Sequence, residues 1–301
     1  MISFLSGGTG TPKLLRGVRQ VTDDSGIAVV VNTAEDLWIS GNHLSPDIDT
    51  VLYLFAGILD TRTWWGIEED SFVTHDSAAL LGVDEFIRIG DRDRAVHIAR
   101  GELLRQGDRL TSATRALCDR FKIRATLLPM TDIPVETQIR TADGWIHFQD
   151  YWVRQRGLPP VSGIRRIPQS HPATSEVQRT LGMSDAVVIG PSNPVTSILP
   201  ILGCEGVRET LSDRFVIAIS PFIGDAPVSG PAGALMKAIG CEPSSLGTSR
   251  LYGDLVDLFI QDERDPVTVP GSVRLDTLMT DEVKSRVLAQ NLMQIIRDEK
   301  G

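Results

Sequence analysis

The sequence predicts an α/β protein built on a doubly wound, Rossmann-like, mostly parallel sheet, with a small antiparallel α+β subdomain inserted in the middle. Three observations carry this expectation. The N-terminal part runs strand, helix, strand, helix. Its strands are continuous apolar runs, as strands covered on both faces must be. The same strand-to-helix pattern returns near residue 184, after a stretch of hairpin character.

The elements follow in order. ISFL (2–5) is a short buried strand, and TPKLLRGVRQV (11–21) carries Leu14, Leu15, Val18 and Val21 at helical spacing. IAVVVN (27–32) is a second buried strand. TAEDLWISGNHLSPDID reads as a loop, closed by Ser45-Pro46 as an N-cap and first helical residue ahead of TVLYLFAGIL. Helical RAVHIARGELL (94–104) and TSATRALCDRF (111–121) lead to strand-like IRATLLPM (123–130). VETQIRT and WIHFQDYWV flank Ala142-Asp143-Gly144 as an antiparallel hairpin, which places an inserted subdomain at roughly 130–180 of a single 1–301 domain. From SDAVVIGPSNP (184–194) the α/β pattern resumes with RFVIAISPFIG (214–224), helical GPAGALMKAIG and an amphipathic helix over 281–298. Apart from that helix, the chain after Gly253 is the least distinctive part.

Composition narrows the function classes. The 301 residues are 42% hydrophobic and 23% charged, with a net charge of -9. That balance is ordinary for a globular protein, and the negative charge speaks against nucleic-acid binding. No apolar run approaches the ~20 residues that cross a bilayer, and ISFL is too short for a signal-peptide core. A cytoplasmic protein with no membrane partner is expected. Cys118, Cys204 and Cys241 are isolated from one another and from histidine clusters, so neither disulfides nor a zinc site is indicated.

Four stretches carry chemistry. In SGGTGTPK, Gly7, Gly8 and Gly10 follow the first strand, but a third glycine at dinucleotide spacing is missing and the second strand ends in Asn32, not an acid. A Walker loop would need Gly-Lys-Ser/Thr, whereas Lys13 follows Pro12. What remains is the physics both motifs share: amides at a strand–helix turn that face an anion, with Thr9, Thr11 and Lys13 as further donors. The plain alternative is a tight turn with no ligand.

In NTAEDLWISGNHLSPDIDT, Glu35, Asp36, Asp47 and Asp49 crowd near the end of a strand and the first turn of a helix. Helix-dipole pairing explains one or two of them. Beside a phosphate-type loop, the group suggests Mg²⁺ on at least one of Asp36, Asp47 and Asp49, the rest of its shell being water and phosphate oxygens. In FIRIGDRDRAVHIAR, the arginines of Asp91-Arg92-Asp93-Arg94 are candidates to clamp phosphate, against a self-neutralising salt-bridge cluster as the plain alternative. His97 reads as a packed or capping histidine. In VVIGPSNPVTSI, Gly190, Ser192 and Asn193 form a second strand–helix turn at the sheet edge where ligands bind; SPFIGDAPVSGPAG (220–233) repeats the theme. Trp64-Trp65 offer a stacking surface for a flat ring, because two adjacent tryptophans cannot easily both point inward; Trp145, His147, Phe148, Tyr151 and Trp152 are equally well read as core filling.

Together SGGTGTPKLL, VVVNTAEDLWISGN, SPDIDTVLYLFAG, WWGI, GDRDRA, HFQDYWV, GPSNPVTSI, SPFIGDAPVSGPAG and DTLMT resemble the 2-phospho-L-lactate transferase family of coenzyme F-420 biosynthesis, in order over nearly the whole chain. The resemblance implies transfer of a 2-phospholactyl group from lactyl-2-diphospho-5′-guanosine to the 5′-hydroxyl of the deazaflavin Fo, with GMP released, Mg²⁺ as cofactor and a homodimer as assembly. It implies Asp49 and Arg88 as Fo-binding positions. On this reading Gly7, Gly8, Thr9, Gly10, Thr11, Lys13, Gly190, Ser192 and Asn193 hold the guanosine diphosphate part. Mg²⁺ on Asp36 or Asp47 and Asp49 bridges the diphosphate, Asp47 or Asp49 orients or deprotonates the hydroxyl, and Arg92 or Arg94 screens the transferring group. Two rivals stand beside it. A non-catalytic nucleotide-sugar-binding regulator of the gluconeogenesis-factor type shares the glycine-threonine loop but not WWGI, GDRDRA or the HFQDYWV hairpin. A nicotinamide-dependent dehydrogenase is opposed by the missing glycine and by Asn32.

Overall fold

The computed structural model describes residues 1–228 and 230–300; Ser229, inside the SPFIGDAPVSGPAG stretch, and Gly301 lie outside the described residues. Seven strands, β1 (Ile2–Ser6), β2 (Ile27–Val31), β3 (Thr126–Pro129), β4 (Ala186–Ile189), β5 (Val216–Ile219), β6 (Leu258–Asp262) and β7 (Val273–Leu275), form the central sheet. Its order is β7-β6-β5-β4-β1-β2-β3, and every pairing is parallel. This is the doubly wound arrangement expected, with the chain reversing its direction of travel across the sheet between β1 and β4.

The register explains the continuous apolar runs. Phe4 pairs with Val29 on one side and Val188 on the other, and all three enter one core. Leu5, Val30 and Ile189 point to the opposite face and enter a second core. The first core is covered by α1 (Gly10–Val18), α2 (Pro46–Ala56) and the C-terminal helix Glu282–Lys300; the second takes in the helices Ser175–Gly182 and Leu199–Leu202. A strand buried on both sides has no polar face to alternate with.

Three further helices, α3 (Val73–Leu80), α4 (Asp91–Arg105) and α5 (Leu110–Arg120), lie between β2 and β3 in the chain. α3 is absent from the sequence expectation: it is eight residues long, buries none of them and so leaves no apolar stripe to read. Two aspartates hold it against α4. The Asp70 carboxylate accepts from the first amides of α4, Arg92 N and Asp93 N, both at 2.9 Å. In return the Asp91 carboxylate accepts from Val73 N and Thr74 N of α3, also at 2.9 Å. Each carboxylate satisfies amides that a helix start leaves without partners.

The expected loop 33–49 contains a hairpin instead. Leu37–Ile39 pairs with Asn42–Leu44 across Ser40 and Gly41, whose φ angles are 48° and 75°. Two successive positive φ values make the tight turn that matches strand twist. Between β3 and β4 stands a three-stranded antiparallel sheet with Glu136–Thr141 in the middle, flanked by Gly144–His147 and Gly163–Ile167. The strand beginning at Gly144 stops at His147, not at Val153, and residues Asp150–Arg154 wind into a π-helical turn. The winding lets Phe148 and Tyr151, three apart, enter the same small core. β6 and β7, near the C-terminus, were not anticipated.

The switch between β1 and β4 is closed by contact between two turns. Gly7 N donates to Ser192 Oγ at 3.0 Å, and the hydroxyls of Thr11 and Ser192 are 2.7 Å apart. A Cβ on Gly10 would collide with the carbonyl of Pro191, and one on Gly190 with the Thr11 hydroxyl. Gly10→Ala is therefore expected to destabilise by about 1–3 kcal/mol, read as a melting temperature lowered by several degrees. Gly26→Ala is the control: nothing lies within 4 Å of its Cβ position and its φ is not positive, so its melting temperature should match or slightly exceed that of the parent.

Candidate active site

The C-terminal edge of the sheet, at the β1/β4 switch, opens into a cavity of about 750 Å³. That is within the usual size of small-molecule sites, and the place where open α/β sheets bind ligands. Its lining includes Gly8, Thr9, Gly10, Asp47, Ser192 and Asn193 from the two turns and α2, and Trp64, Trp65, Gly66, Arg88, Asp93 and Trp152 from the segments beyond them.

The phosphate-type part of the lining is built by dividing the glycine-loop residues between two tasks. Gly7, Thr11 and Gly190 are spent on the contact between the turns and do not line the cavity. Lys13 does not line it either; its ammonium lies 5.5 Å from the centre of the Trp64 ring, and burial followed by the charge of Arg16 lowers its pKa. Gly8, Thr9 and Gly10 do line it, at the start of α1, where amides have no intrahelical acceptor. Thr11 N is already given to Ser192, and Pro12 has no N–H, so the amides of Thr9 and Gly10 are the ones left for an anion. Asn193 uses its Oδ1 to accept from Val195 N and Thr196 N, which turns its amide nitrogen outward as a donor.

The acidic residues separate into two groups. Asp47 and Glu35 line the cavity and are in no ion pair among the described residues. Burial pushes Asp47 up to about 7, although Asn32 Nδ2 donates to it at 2.8 Å. Burial and then the charge of Asp47 push Glu35 well above the ordinary carboxyl range; Gln149 Nε2 donates to it at 3.0 Å. Asp36 is also pushed up by burial and accepts from Ser45 Oγ, but it does not line the cavity. Asn32, where a dinucleotide enzyme carries its ribose-binding acid, is thus occupied in orienting Asp47.

Asp49 belongs elsewhere. Its carboxylate is clasped by the fully buried Arg100, accepts from Ser45 N at 3.3 Å, and lies 3.1 Å from His97 Nε2. His97 Nε2 is also 2.9 Å from Asp93 Oδ1, its N–H shared between the two carboxylates and aligned on neither. Burial alone would raise the Asp49 carboxyl, but Arg100 and His97 hold it below the usual range. Burial would lower His97, and the two carboxylates outweigh it and raise the imidazole to about 9. Asp49, Asp93 and His97 bring ligating atoms within 4.8 Å of one another. In this structure Asp49 is engaged by Arg100 and His97 and does not itself line the cavity.

The arginines of GDRDRA also differ from expectation. Arg94 is buried in a two-point pair with Glu85, at 2.8 and 2.6 Å, which holds Glu85 down to about 2. Arg92 is exposed and donates to the Glu68 carbonyl at 3.0 Å. Neither lines the cavity; the residues of that motif that do are Gly90 and Asp93. Arg88 does line it, stacked 3.7 Å from the centre of the Phe72 ring, and Trp65 Nε1 donates to the Arg88 carbonyl at 3.3 Å. Trp152, Phe148 and Gln149 complete the wall, whereas Trp145 is engaged with Arg140 and Arg165 outside it. Burial pushes the Cys118 and Cys204 thiols up to about 12, which leaves them inert packing.

Among the described residues no helix is long and apolar enough to cross a membrane. In overall shape the chain is similar to a solved protein of Bacillus halodurans, with a TM-score of 0.58 and 17% identity, covering 89% of this chain and 81% of that one. A second solved structure with the same scores is described as a member of the UPF0052 family. At that identity the likeness speaks for the fold. Sequence relatives are much nearer. The chain is 57% identical to the 2-phospho-L-lactate transferase of Methanospirillum hungatei over 98% of its length and 99% of the relative's. It is 54% identical to that of Methanocorpusculum labreanum, over 97% and 98%, and 43% identical to that of Haloarcula marismortui, over 93% and 94%. A family model described as 2-phospho-L-lactate transferase CofD matches residues 2–293. The chain belongs to the 2-phospho-L-lactate transferase family.

Proposed function

We propose that the protein transfers a 2-phospholactyl group from lactyl-2-diphospho-5′-guanosine to the 5′-hydroxyl of Fo, releasing GMP. The observation that carries this reading is the lining of the cavity of a chain in this family. It combines amides and carboxylates in no ion pair among the described residues with the tryptophans Trp64, Trp65 and Trp152. A regulator that only binds a nucleotide sugar has no need of such a tryptophan wall.

In the reaction the acceptor hydroxyl gives its proton to a cavity carboxylate such as Asp47, and its oxygen bonds to the phosphorus carrying the lactyl group. The bond from that phosphorus to the bridging oxygen breaks, and GMP leaves with that oxygen and the electron pair. Such transfers are governed by positioning and electrostatics. Thr9 and Gly10 amides, with the Asn193 side-chain amide, receive the diphosphate oxygens. Trp64, Trp65 and Trp152 hold the planar ring of the acceptor and exclude water, and Arg88 supplies positive charge in the same cavity. The donor set fits Mg²⁺: Asp47 and Glu35 are hard oxygen ligands with no guanidinium or ammonium on them, and burial has raised both above the range of a free carboxyl. One or two such carboxylates, completed by water and phosphate oxygens, are the shell Mg²⁺ favours. Bound there, the ion would neutralise charge on the diphosphate. The protein is expected to work in the cytoplasm as a homodimer.

Mixing the protein with Mg²⁺, Fo and lactyl-2-diphospho-5′-guanosine should release GMP together with a phosphodiester of the deazaflavin; absence of both products refutes the reading. Asp47→Asn is expected to lower turnover by at least about 10²-fold, because one electrostatic partner of the transferring phosphate is lost. Wild-type turnover in that variant would remove Asp47 from the reaction.

The raised carboxyl of Asp47 also predicts a pH dependence. A carboxylate whose folded pKa exceeds its unfolded one binds more protons when folded. Its contribution to stability is present in full below about pH 4 and is lost as pH rises to about 7. Melting temperatures measured from pH 5 to 8 without metal should fall more steeply for the parent than for Asp47→Asn. Mg²⁺ added at pH 7.5 should raise the melting temperature of the parent more than that of the variant.

A further inference from the structure

Among the described residues Asp93 is the carboxylate that joins the buried network of Asp49, His97 and Arg100 to the cavity. Only 2% of the residue is exposed, yet it lines the cavity with Trp64 and Trp65. Its two oxygens are unlike. Oδ1 accepts from the Tyr53 hydroxyl at 2.6 Å and faces His97 Nε2 at 2.9 Å. Oδ2 accepts no hydrogen bond among the described residues and lies 3.7 Å from the Cβ position of Gly66, which lines the same cavity and directly follows the two tryptophans.

A cap for α4 does not account for this carboxylate. The first amides of α4, including that of Asp93 itself, are already taken by Asp70. Nor does the buried network take both of its oxygens. Arg100 pairs with Asp49, and His97 lies between Asp49 and Asp93, whose Oδ1 is its only oxygen in the network. A nearly buried carboxylate oxygen with no donor is costly, and polar groups in such places are almost always paired. Oδ2 is open to the cavity, so its donor comes from there, either water or a ligand group that displaces it.

We propose that Asp93 is a recognition residue for the acceptor: its Oδ2 receives an N–H or O–H carried on the rim of the planar ring held between Trp64 and Trp65. This deepens the proposed function and rests on it. Asp49, His97, Arg100 and Tyr53 are positioning residues in this scheme, fixing Oδ1 so that Oδ2 keeps one direction. A site built to accept a donor from its ligand rejects analogues that lack it, because the carboxylate is then left unpaired.

Titration calorimetry of the full chain with Fo, and separately with GDP, tests the proposal. Asp93→Asn keeps size and removes the charge-assisted acceptor. It should weaken Fo binding roughly 10- to 100-fold while leaving GDP binding within about twofold. Tyr53→Phe should weaken Fo in the same direction by a smaller factor. Fo analogues methylated at the ring N–H or at the phenolic O–H identify the donor. One of the two should bind the parent as poorly as Fo binds Asp93→Asn, with no further loss in the variant. The proposal is overturned if Asp93→Asn, folded by circular dichroism, binds Fo like the parent, or if Fo and GDP affinities fall together, as a structural role would make them. If the parent itself fails to bind Fo, it is the proposed function that fails.

Discussion

The site depends on how closely the turns after β1 and β4 approach each other. Parallel strands that diverge at a switch point leave a crevice, and its floor must be closed without filling it. Here the floor is a hydroxyl pair, Thr11 with Ser192, set between two glycines whose Cβ atoms would have nowhere to go. Ser192 Oγ takes the amides of Gly7 and Thr11 as well. The amides of Thr9 and Gly10 are left at the helix start, where the helix dipole favours an anion. A larger residue at either glycine would separate the turns and tilt α1, and the anion site would lose its donors.

On that floor the molecule keeps two populations of buried acid apart. Asp49 and Asp93 are answered by Arg100 and His97, so their charge is settled within the fold. Asp47 and Glu35, on the cavity side, have only neutral donors, and burial raises both. Paired charges in low dielectric hold geometry, whereas unanswered ones hold an appetite for a cation. The same residue type, two positions apart on α2, therefore does opposite work. Asp49 faces α4 and its arginine, and Asp47 faces the glycine loop, with Gly8 packed against its carboxylate.

The sheet was legible because strands buried on both faces are mainly apolar: β2, β4 and β5 are wholly so, and β1 is apart from Ser3 and Ser6. Gly8, Thr9, Gly10, Asn193, Asp47 and Arg88 were legible as cavity residues through glycine spacing, strand ends and family resemblance. The roles of Arg94 and Asp49 were not, since a sequence does not show which opposite charge a long side chain will find. Arg94 found Glu85, which precedes it by nine residues through an irregular stretch. α3 was invisible because it buries nothing, and its fastening to α4 is a reciprocal exchange of aspartates with no spacing rule. One signal was available: Asp49 and Tyr53 are four apart on α2, and Asp93, His97 and Arg100 repeat at four and three on α4. Two helices with matching polar stripes inside an otherwise apolar layer announce a buried network between them.

That network also explains why a motif rich in arginine contributes an aspartate to the cavity. In GDRDRA the alternation places Asp91 and Arg92 outward, in helix fastening, and turns Asp93 and Arg94 inward. Of the inward pair, Arg94 spends both terminal nitrogens on Glu85, while Asp93 spends a single oxygen on Tyr53 and His97. Arg94 also keeps its buried Nε without a partner among the described residues, but it does not line the cavity, and Asp93 does. Charge counted along a motif therefore misleads about the charge it presents. What reaches a ligand is whatever remains after the fold has satisfied itself, and here that remainder is one carboxylate oxygen beside two tryptophans.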